Sequence, residues 1–309
     1  MISFCRYVLV PALSAALLLS CKSGGGAGTA TSNTGSDSLF PMVSVPQIIN
    51  DNKARVDYLT EHFWDRFNAL EAASDSSRIK GIPLKDVEES VSLWAGVAKA
   101  ASPEAVEKSV SAMPSELLPV ADNVLYNPNS PVRNEEIYLA LLQDKLAGEP
   151  PDETMRQEYE RRRKLCSLNR PGAPASDFVF LTREGRLLHL FGVDAPVLLM
   201  IFSNPGCPLC ARYQENLMKS KPLSEKIDSG ELKILNIYPD DDVAAWEEYV
   251  RTYPSQWICG RDPMNQLFGG ELYSLRAIPS IYLLDADKKV ILKDASYEEA
   301  EMKLYDMLF

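Results

Sequence analysis

The sequence predicts a helical N-terminal domain followed by an α/β domain, a central mixed sheet flanked by helices. Two observations carry this. From about Phe40 to Ser167 the apolar residues recur at the spacing of one helix face. After Asn169, short apolar runs bounded by Gly, Pro and Asp alternate with helical stretches. The strongest run, Val197-Leu198-Leu199-Met200-Ile201-Phe202, has no polar interruption and suits a strand covered on both faces.

The 309 residues suffice for two ordinary domains, and 46% hydrophobic content is ample for packed cores. A formal net charge of −11 and the lack of a basic, aromatic-studded face argue against nucleic acid as a partner. The chain divides into residues 1–20, 21–39, 40–168 and 169–309.

Residues 1–20 have the pattern of a signal peptide. Met1 to Arg6 carry one positive charge, Tyr7 to Leu19 are mostly apolar, and Leu18-Leu19-Ser20-Cys21 ends the run. The run is too short, and too promptly followed by Gly and Ser, for a spanning helix. The pattern resembles a bacterial lipobox, which implies that Cys21 is diacylated and becomes the mature N-terminus. The alternative is a plain secretory signal with an incidental cysteine. Either way the mature protein works outside the cytoplasm, where disulfides persist. Lys22 to Ser38 is rich in Gly, Ser and Thr and reads as a flexible tether. Lys22 directly after Cys21 resembles lipoproteins sent to the outer membrane. The expected location is therefore the cell envelope, lipid-anchored and facing the periplasm.

Residues 51–70 place Val56, Leu59, Phe63 and Phe67 on one stripe with Trp64 beside it, and residues 84–100 do the same with Val87, Val91, Trp94 and Ala98. Ser102-Pro103-Glu104 is a helix start with a capping Ser and Pro in the first turn. Met113-Pro114-Ser115 breaks that helix and restarts it. Asn134 caps Glu135 to Ala147, Gly148 ends it, and a charged helix from Asp152 to Lys164 leads out. His62 beside the aromatic stripe reads as a packing or surface histidine. No metal cluster, phosphate loop or nucleophile constellation stands out here. The segments Tyr58-Leu59-Thr60-Glu61-His62-Phe63-Trp64-Asp65 and Tyr126-Asn127-Pro128-Asn129-Ser130-Pro131-Val132-Arg133-Asn134 resemble a domain of unknown function found ahead of redox domains in some Gram-negative lipoproteins. That resemblance implies the domain order, and a role in positioning the second domain or contacting a partner.

Asn169 to Ala175 is a loop. Asp177–Leu181 and Arg186–Leu190 read as a hairpin about Arg183-Glu184-Gly185. After the Val197–Phe202 strand, Ser203-Asn204-Pro205-Gly206 break the run, and Cys207-Pro208-Leu209-Cys210 opens a helix. A dithiol there has a chemical rationale: the unpaired N–H groups and positive end of the helix dipole favour the Cys207 thiolate, the species that attacks disulfides. The two-residue spacer lets Cys210 resolve the mixed disulfide that Cys207 forms. A structural disulfide, half of a zinc site or two buried thiols remain open on the motif alone. Leu232–Tyr238 reads as a strand, Asp242–Tyr253 and Met264–Leu275 as helices, Ile281–Leu284 and Val290–Leu292 as strands, and Tyr297–Phe309 as the terminal helix.

About seventy residues after the dithiol comes Arg276-Ala277-Ile278-Pro279-Ser280, with Pro279 directly before an apolar strand. Such a proline needs a special position. Strand, CxxC, helix and the Ile278-Pro279-Ser280-Ile281-Tyr282-Leu283-Leu284-Asp285 segment together resemble the thioredoxin superfamily, from roughly Ser176 onward. The extra hairpin is similar to membrane-tethered periplasmic thioredoxins, including those acting on apocytochrome c. The resemblance implies a cis bond before Pro279, substrate binding at Ile278 and Pro279, and catalysis by Cys207 and Cys210. It implies protein thiols and disulfides as partners, a membrane electron donor or acceptor as a further one, and no cofactor beyond the cysteine pair. Two departures bear on mechanism. The buried acid of thioredoxin, six residues before the first cysteine, falls at Ile201, and the glutamate of the cytochrome-maturation type, six after it, falls at Tyr213. No general base is therefore carried over, and Glu215 is only a neighbour. Cys166 and Cys259 are left without an assigned role. The sequence thus points to an exported thiol–disulfide oxidoreductase. The alternative is a non-enzymatic binding module of an envelope assembly with a static Cys207–Cys210 disulfide.

Overall fold

The structure, a computed structural model, describes residues 43–69, 79, 81–148, 152–267 and 272–309. The expected signal peptide, Cys21 and the expected tether lie outside the described residues. Among those described, no helix is long and apolar enough to cross a membrane.

The N-terminal half is helical: α1 (Asn52–Glu61), α2 (Asp65–Asn68), α3 (Leu84–Ala98), α4 (Pro103–Ser111), α5 (Leu118–Tyr126), α6 (Glu135–Ala147) and α7 (Glu153–Ser167). The starts follow the capping residues. Asp51, Ser102, Asn134 and Asp152 each accept from a backbone N–H three residues on. The helix expected over 51–70 is divided at His62 to Trp64, so that Phe63, Trp64 and Phe67 all reach the core. Trp64 and Trp94 meet at its centre with ring centroids 5.4 Å apart, and Trp94 Nε1–H donates to Ser109 at 2.9 Å.

The second half is built on β1 (Val179–Thr182), β2 (Leu187–His189), β3 (Val197–Phe202), β4 (Leu232–Tyr238), β5 (Ile258–Arg261), β6 (Ser280–Asp285) and β7 (Val290–Leu292). They form one mixed sheet in the order β2-β1-β5-β4-β3-β6-β7. The sequence supports the pattern: β3 is buried at every position, alternating between two cores. Val197, Leu199 and Ile201 face Leu217, Trp246 and Leu304; Leu198, Met200 and Phe202 face Phe178, Tyr273 and Tyr282. The first of these cores is covered by α8 (Pro208–Lys219), α9 (Lys221–Asp228), α10 (Val243–Tyr249) and α11 (Tyr297–Leu308). Both halves belong to one compact unit.

Three elements differ from the sequence reading. Met264 to Leu275 is turn and irregular chain wherever it is described. Its Asp262 carboxylate instead accepts from the N–H groups of Met264 and Leu267, at 3.1 and 2.7 Å, which caps a turn. The cysteine-bearing helix stops at Lys219 and restarts at Lys221, where Pro222 fits the first turn of α9. And β5, which no apolar run announces, fills the place between β1 and β4.

Candidate redox site

The register of β3 builds the site. It runs antiparallel to β6, and Phe202 at its C-terminal end lies opposite Ser280 at the start of β6. The chain leaving β3 therefore meets the chain entering β6. Ser203 N–H extends the ladder to Ile237 O at 2.9 Å. Gly206 then adopts φ +71°, the left-handed region that a glycine enters without cost, and α8 begins. The Asn204 amide holds this loop from the side by donating to Asp240.

Cys207 is the N-cap of α8, and its Sγ accepts from the Cys210 backbone N–H at 3.1 Å. The two cysteines form a disulfide with Cα atoms 5.3 Å apart. Cys207 is half-buried and Cys210 is 4% exposed, so the first sulfur is the one a partner can reach. Across from them the Ile278–Pro279 peptide is cis, and Ile278 O lies 3.8 Å from Cys207 Sγ. The fold thus brings Cys207, Cys210, Ile278 and Pro279 into one place.

Beneath the dithiol there is hydrogen bonding, and, as the sequence implies, no carboxylate at either position where the related families carry one. Ile201 is core hydrocarbon. Tyr213 packs on the Tyr297 ring at 5.1 Å, and burial pushes its phenol above the ordinary range. Glu215 lies on the exposed side of α8 paired with Lys219 at 2.6 Å, a bond that holds its carboxyl below the usual range. What the structure adds is a buried polar trio on the α8 side of the sheet. Ser203 Oγ donates to Asn236 Oδ1 at 2.8 Å and shares a 2.9 Å hydrogen bond with Tyr253 OH. Burial raises the Tyr253 phenol far above its ordinary value, so it stays protonated. Asn236 stands beside Ile201 in the parallel ladder. Apart from its position in the strand, Asn236 carried no signal in the sequence. The Asn204–Asp240 pair was equally unforeseen, although an Asp240-Asp241-Asp242 run at a strand end could have drawn notice.

Cys166 and Cys259 are both free and lie in different cores, the helical one and the α8 side of the sheet. Burial pushes each thiol up to about 12. Arg183 Nη2 donates to the Cys259 sulfur at 2.8 Å while holding the carbonyls of Pro254 and Trp257. Among the described residues no three His, Cys, Asp or Glu side chains are gathered as metal ligands.

Residues 191–250 match the family model described as thioredoxin, and residues 20–169 match that of a domain of unknown function, DUF5106. The chain carries a thioredoxin-like domain. Its thioredoxin-like domain stands behind a DUF5106 domain, an arrangement shared over nearly the whole length with a solved relative. That relative, a thioredoxin-like protein from Bacteroides caccae, is 28% identical, covers 87% of this chain and 98% of its own, and has a TM-score of 0.77. A C-terminal domain of an uncharacterized protein from Bacteroides fragilis is 35% identical over 44% of this chain and 98% of its own, with a TM-score of 0.43. A putative thiol-disulfide oxidoreductase from Bacteroides vulgatus is 22% identical over 46% of this chain and 99% of its own, with a TM-score of 0.38. No curated protein matches the chain.

Proposed function

We propose that this thioredoxin-like protein is an exported thiol–disulfide oxidoreductase, anchored in the cell envelope by acylated Cys21, that exchanges electrons with protein disulfides. The observation that carries the reading is the half-buried Cys207 at a helix N-terminus, facing a cis Ile278–Pro279 peptide, with buried Cys210 one turn behind. In the reducing direction the Cys207 thiolate attacks one sulfur of a substrate disulfide. The substrate S–S bond breaks, a mixed disulfide forms, and the other substrate sulfur leaves as a thiolate that takes a proton from solvent. Cys210 then loses its proton and attacks Cys207 Sγ, which closes the Cys207–Cys210 bond and releases the second substrate thiol. Two electrons have passed to the substrate, and a membrane or soluble dithiol must return them. The Cys210 N–H, aimed at Cys207 Sγ, stabilises the attacking Cys207 thiolate in the first step and the departing one in its reverse.

A static disulfide in a binding module is the second reading, favoured by hydrocarbon at Ile201, the position where thioredoxin carries its buried acid. One titration separates the two. Residues 22–309 are equilibrated in a graded glutathione series, and the alkylated fraction at Cys207 and Cys210 is read by mass. A midpoint between roughly −270 and −120 mV, with turnover of a disulfide peptide, supports the oxidoreductase. A bond resistant below about −300 mV with no turnover makes the pair structural.

A further inference from the structure

The segment that faces Cys207 is not held by its own domain alone. Leu272 to Pro279 has no regular secondary structure before β6 starts at Ser280. Its first part is tied within the thioredoxin-like domain, where Tyr273 O–H donates to Ser176 O at 2.7 Å. Its last part turns outward to the helical domain. Arg276, two residues before Ile278, keeps only 10% of its side chain exposed. Its guanidinium lies over the Tyr126 ring, 4.4 Å from the centroid, and donates to Tyr126 O. Nη2 lies 2.7 Å from Glu135 Oε1 and 3.2 Å from Asp294 Oδ2.

The other end of the cis-proline segment is tied into the same cluster. Ser280 Oγ donates to Asp294 Oδ1 at 3.1 Å. Asp294 is in turn gripped from the helical domain: Arg133 Nη2 donates to its backbone O at 2.8 Å, and Arg133 Nε lies 3.6 Å from its Oδ2. Lys293, 5% exposed, lies 2.6 Å from Glu135 Oε2 and donates to the carbonyls of Cys166 and Leu168. Three cations and two carboxylates therefore share one cluster, buried except at Arg133, which keeps 24% of its side chain exposed. Such a cluster is worth holding only when every member is paired, because an unpaired buried charge is far costlier than a paired one.

We propose that the DUF5106 domain is a clamp on the cis-proline segment: Tyr126, Arg133 and Glu135 fix Arg276 and Asp294, and so fix where Ile278 and Pro279 stand against Cys207. Arg276 and Ser280 bracket the two residues whose backbone faces the reactive sulfur, 3.8 Å from Cys207 Sγ at Ile278 O. Ser280 is set by the sheet; Arg276 is set largely by a different domain. Arg276 is on this account a positioning residue. It touches no substrate, and it acts on the backbone that would bind one. The reading of a partner disulfide at that backbone rests on the function proposed above, whereas the clamp itself is a statement about the segment.

The test uses residues 22–309 with Arg276→Met, Arg276→Lys and Glu135→Gln. Hydrogen exchange over residues 272–282 is measured on the oxidised protein, where no turnover is needed. Exchange in Arg276→Met is expected to rise about tenfold or more in this segment while the sheet core at β3 and β4 stays protected. Rates with a disulfide-bonded peptide are expected to fall about tenfold or more, whereas those with 5,5′-dithiobis(2-nitrobenzoate), too small to use the segment, stay within about twofold. Arg276→Lys keeps the charge, loses the fork and the face over Tyr126, and should fall between. If Arg276→Met does not fold, Glu135→Gln carries the same comparison. Unchanged exchange across 272–282 overturns the clamp, as does a peptide rate that falls no more than the small-disulfide rate. Should the unaltered chain turn over no peptide, the oxidoreductase reading fails and the exchange measurement still decides the clamp.

Discussion

At the scale of single residues the cysteines divide by what surrounds each sulfur. Cys207 has a helix N-terminus and the Cys210 N–H directed at its sulfur. Cys259 has Arg183 beside it, yet burial outweighs that cation and pushes its thiol up to about 12. Cys166 is pushed up to about 12 in the same way. A thiol with that value stays protonated at neutral pH, and only the thiolate alkylates. Native, reduced protein treated with iodoacetamide between pH 6 and 9 should therefore label at Cys207, with Cys166 and Cys259 modified only after unfolding. Tryptic mass mapping checks this, and native labelling of Cys259 at a rate like that of Cys207 would mean the core around β5 is open. The Cys207–Cys210 pair and the cis bond before Pro279 were legible because each sits in contiguous residues. The Ser203–Asn236–Tyr253 trio was not, because its members come from three separate elements and meet only once β3 and β4 are in register.

At the scale of elements, those whose burial shows as an apolar period could be read, and those held by other means could not. Helix α7 is the clearest of the latter on the helical side. Cys166 is its only fully buried residue, so charge docks it. Arg162 Nη1 reaches Asp122 at 2.6 and 2.8 Å and donates to Tyr138 OH at 2.8 Å. Glu158 orients that arginine from the preceding turn while binding Arg161 at 2.8 Å through both oxygens. The bonds from Arg161 first, and then Arg162, lower Glu158 from its ordinary 4.5 to about 2. A carboxyl lowered in the folded state contributes stability above its ordinary value and loses it as pH falls through about 2. Glu158→Gln should therefore be less stable at pH 7 by no more than about 1 kcal/mol, since the pair is partly solvated. The difference should shrink as pH drops from 4.5 toward 2. Urea unfolding at several pH values measures it, and a gap that widens on acidification would contradict the assignment. Strand β5 escaped notice for a comparable reason. Its Gly260 breaks the apolar run, yet a side chain there would bring a Cβ to 2.6 Å from the Phe180 ring, so close packing of β1 on β5 demands the glycine. Met264–Leu275 misled in the opposite sense: its apolar residues serve the sheet face, as Leu267 and Tyr273 show, without a helix.

At the scale of the whole molecule, the two domains could have been joined by an apolar seam, and the structure joins them by charge instead. Nothing in the sequence marks Glu135, Arg276 and Lys293 as partners, since each reads as an ordinary polar residue of its own element. Two classes of ion pair cross the boundary, and they should differ in weight. Lys99–Glu299, at 2.7 Å, keeps 62% and 42% of its side chains exposed. Glu135, Arg276 and Lys293 keep 12%, 10% and 5%. An exposed pair gives back in Coulomb energy little more than it loses in side-chain freedom, so Lys99→Ala should change stability by less than about 1 kcal/mol. Glu135→Ala strips two buried cations of their shared anion, a loss on the order of 3 kcal/mol. Asp294 and the carbonyls of Cys166 and Leu168 still engage those cations, which keeps the loss toward the lower end. The consequence reaches beyond the midpoint. Trp64 and Trp94 lie in the helical core, and Trp246 and Trp257 lie in the sheet core. With single-tryptophan variants, the unaltered chain should show coincident urea transitions in both halves, because their cohesion runs through the buried cluster. Glu135→Ala should separate the two transitions and Lys99→Ala should not. Coincident transitions in Glu135→Ala would place the coupling elsewhere along the boundary, in the Arg170–Glu136 pair or in the chain connection itself.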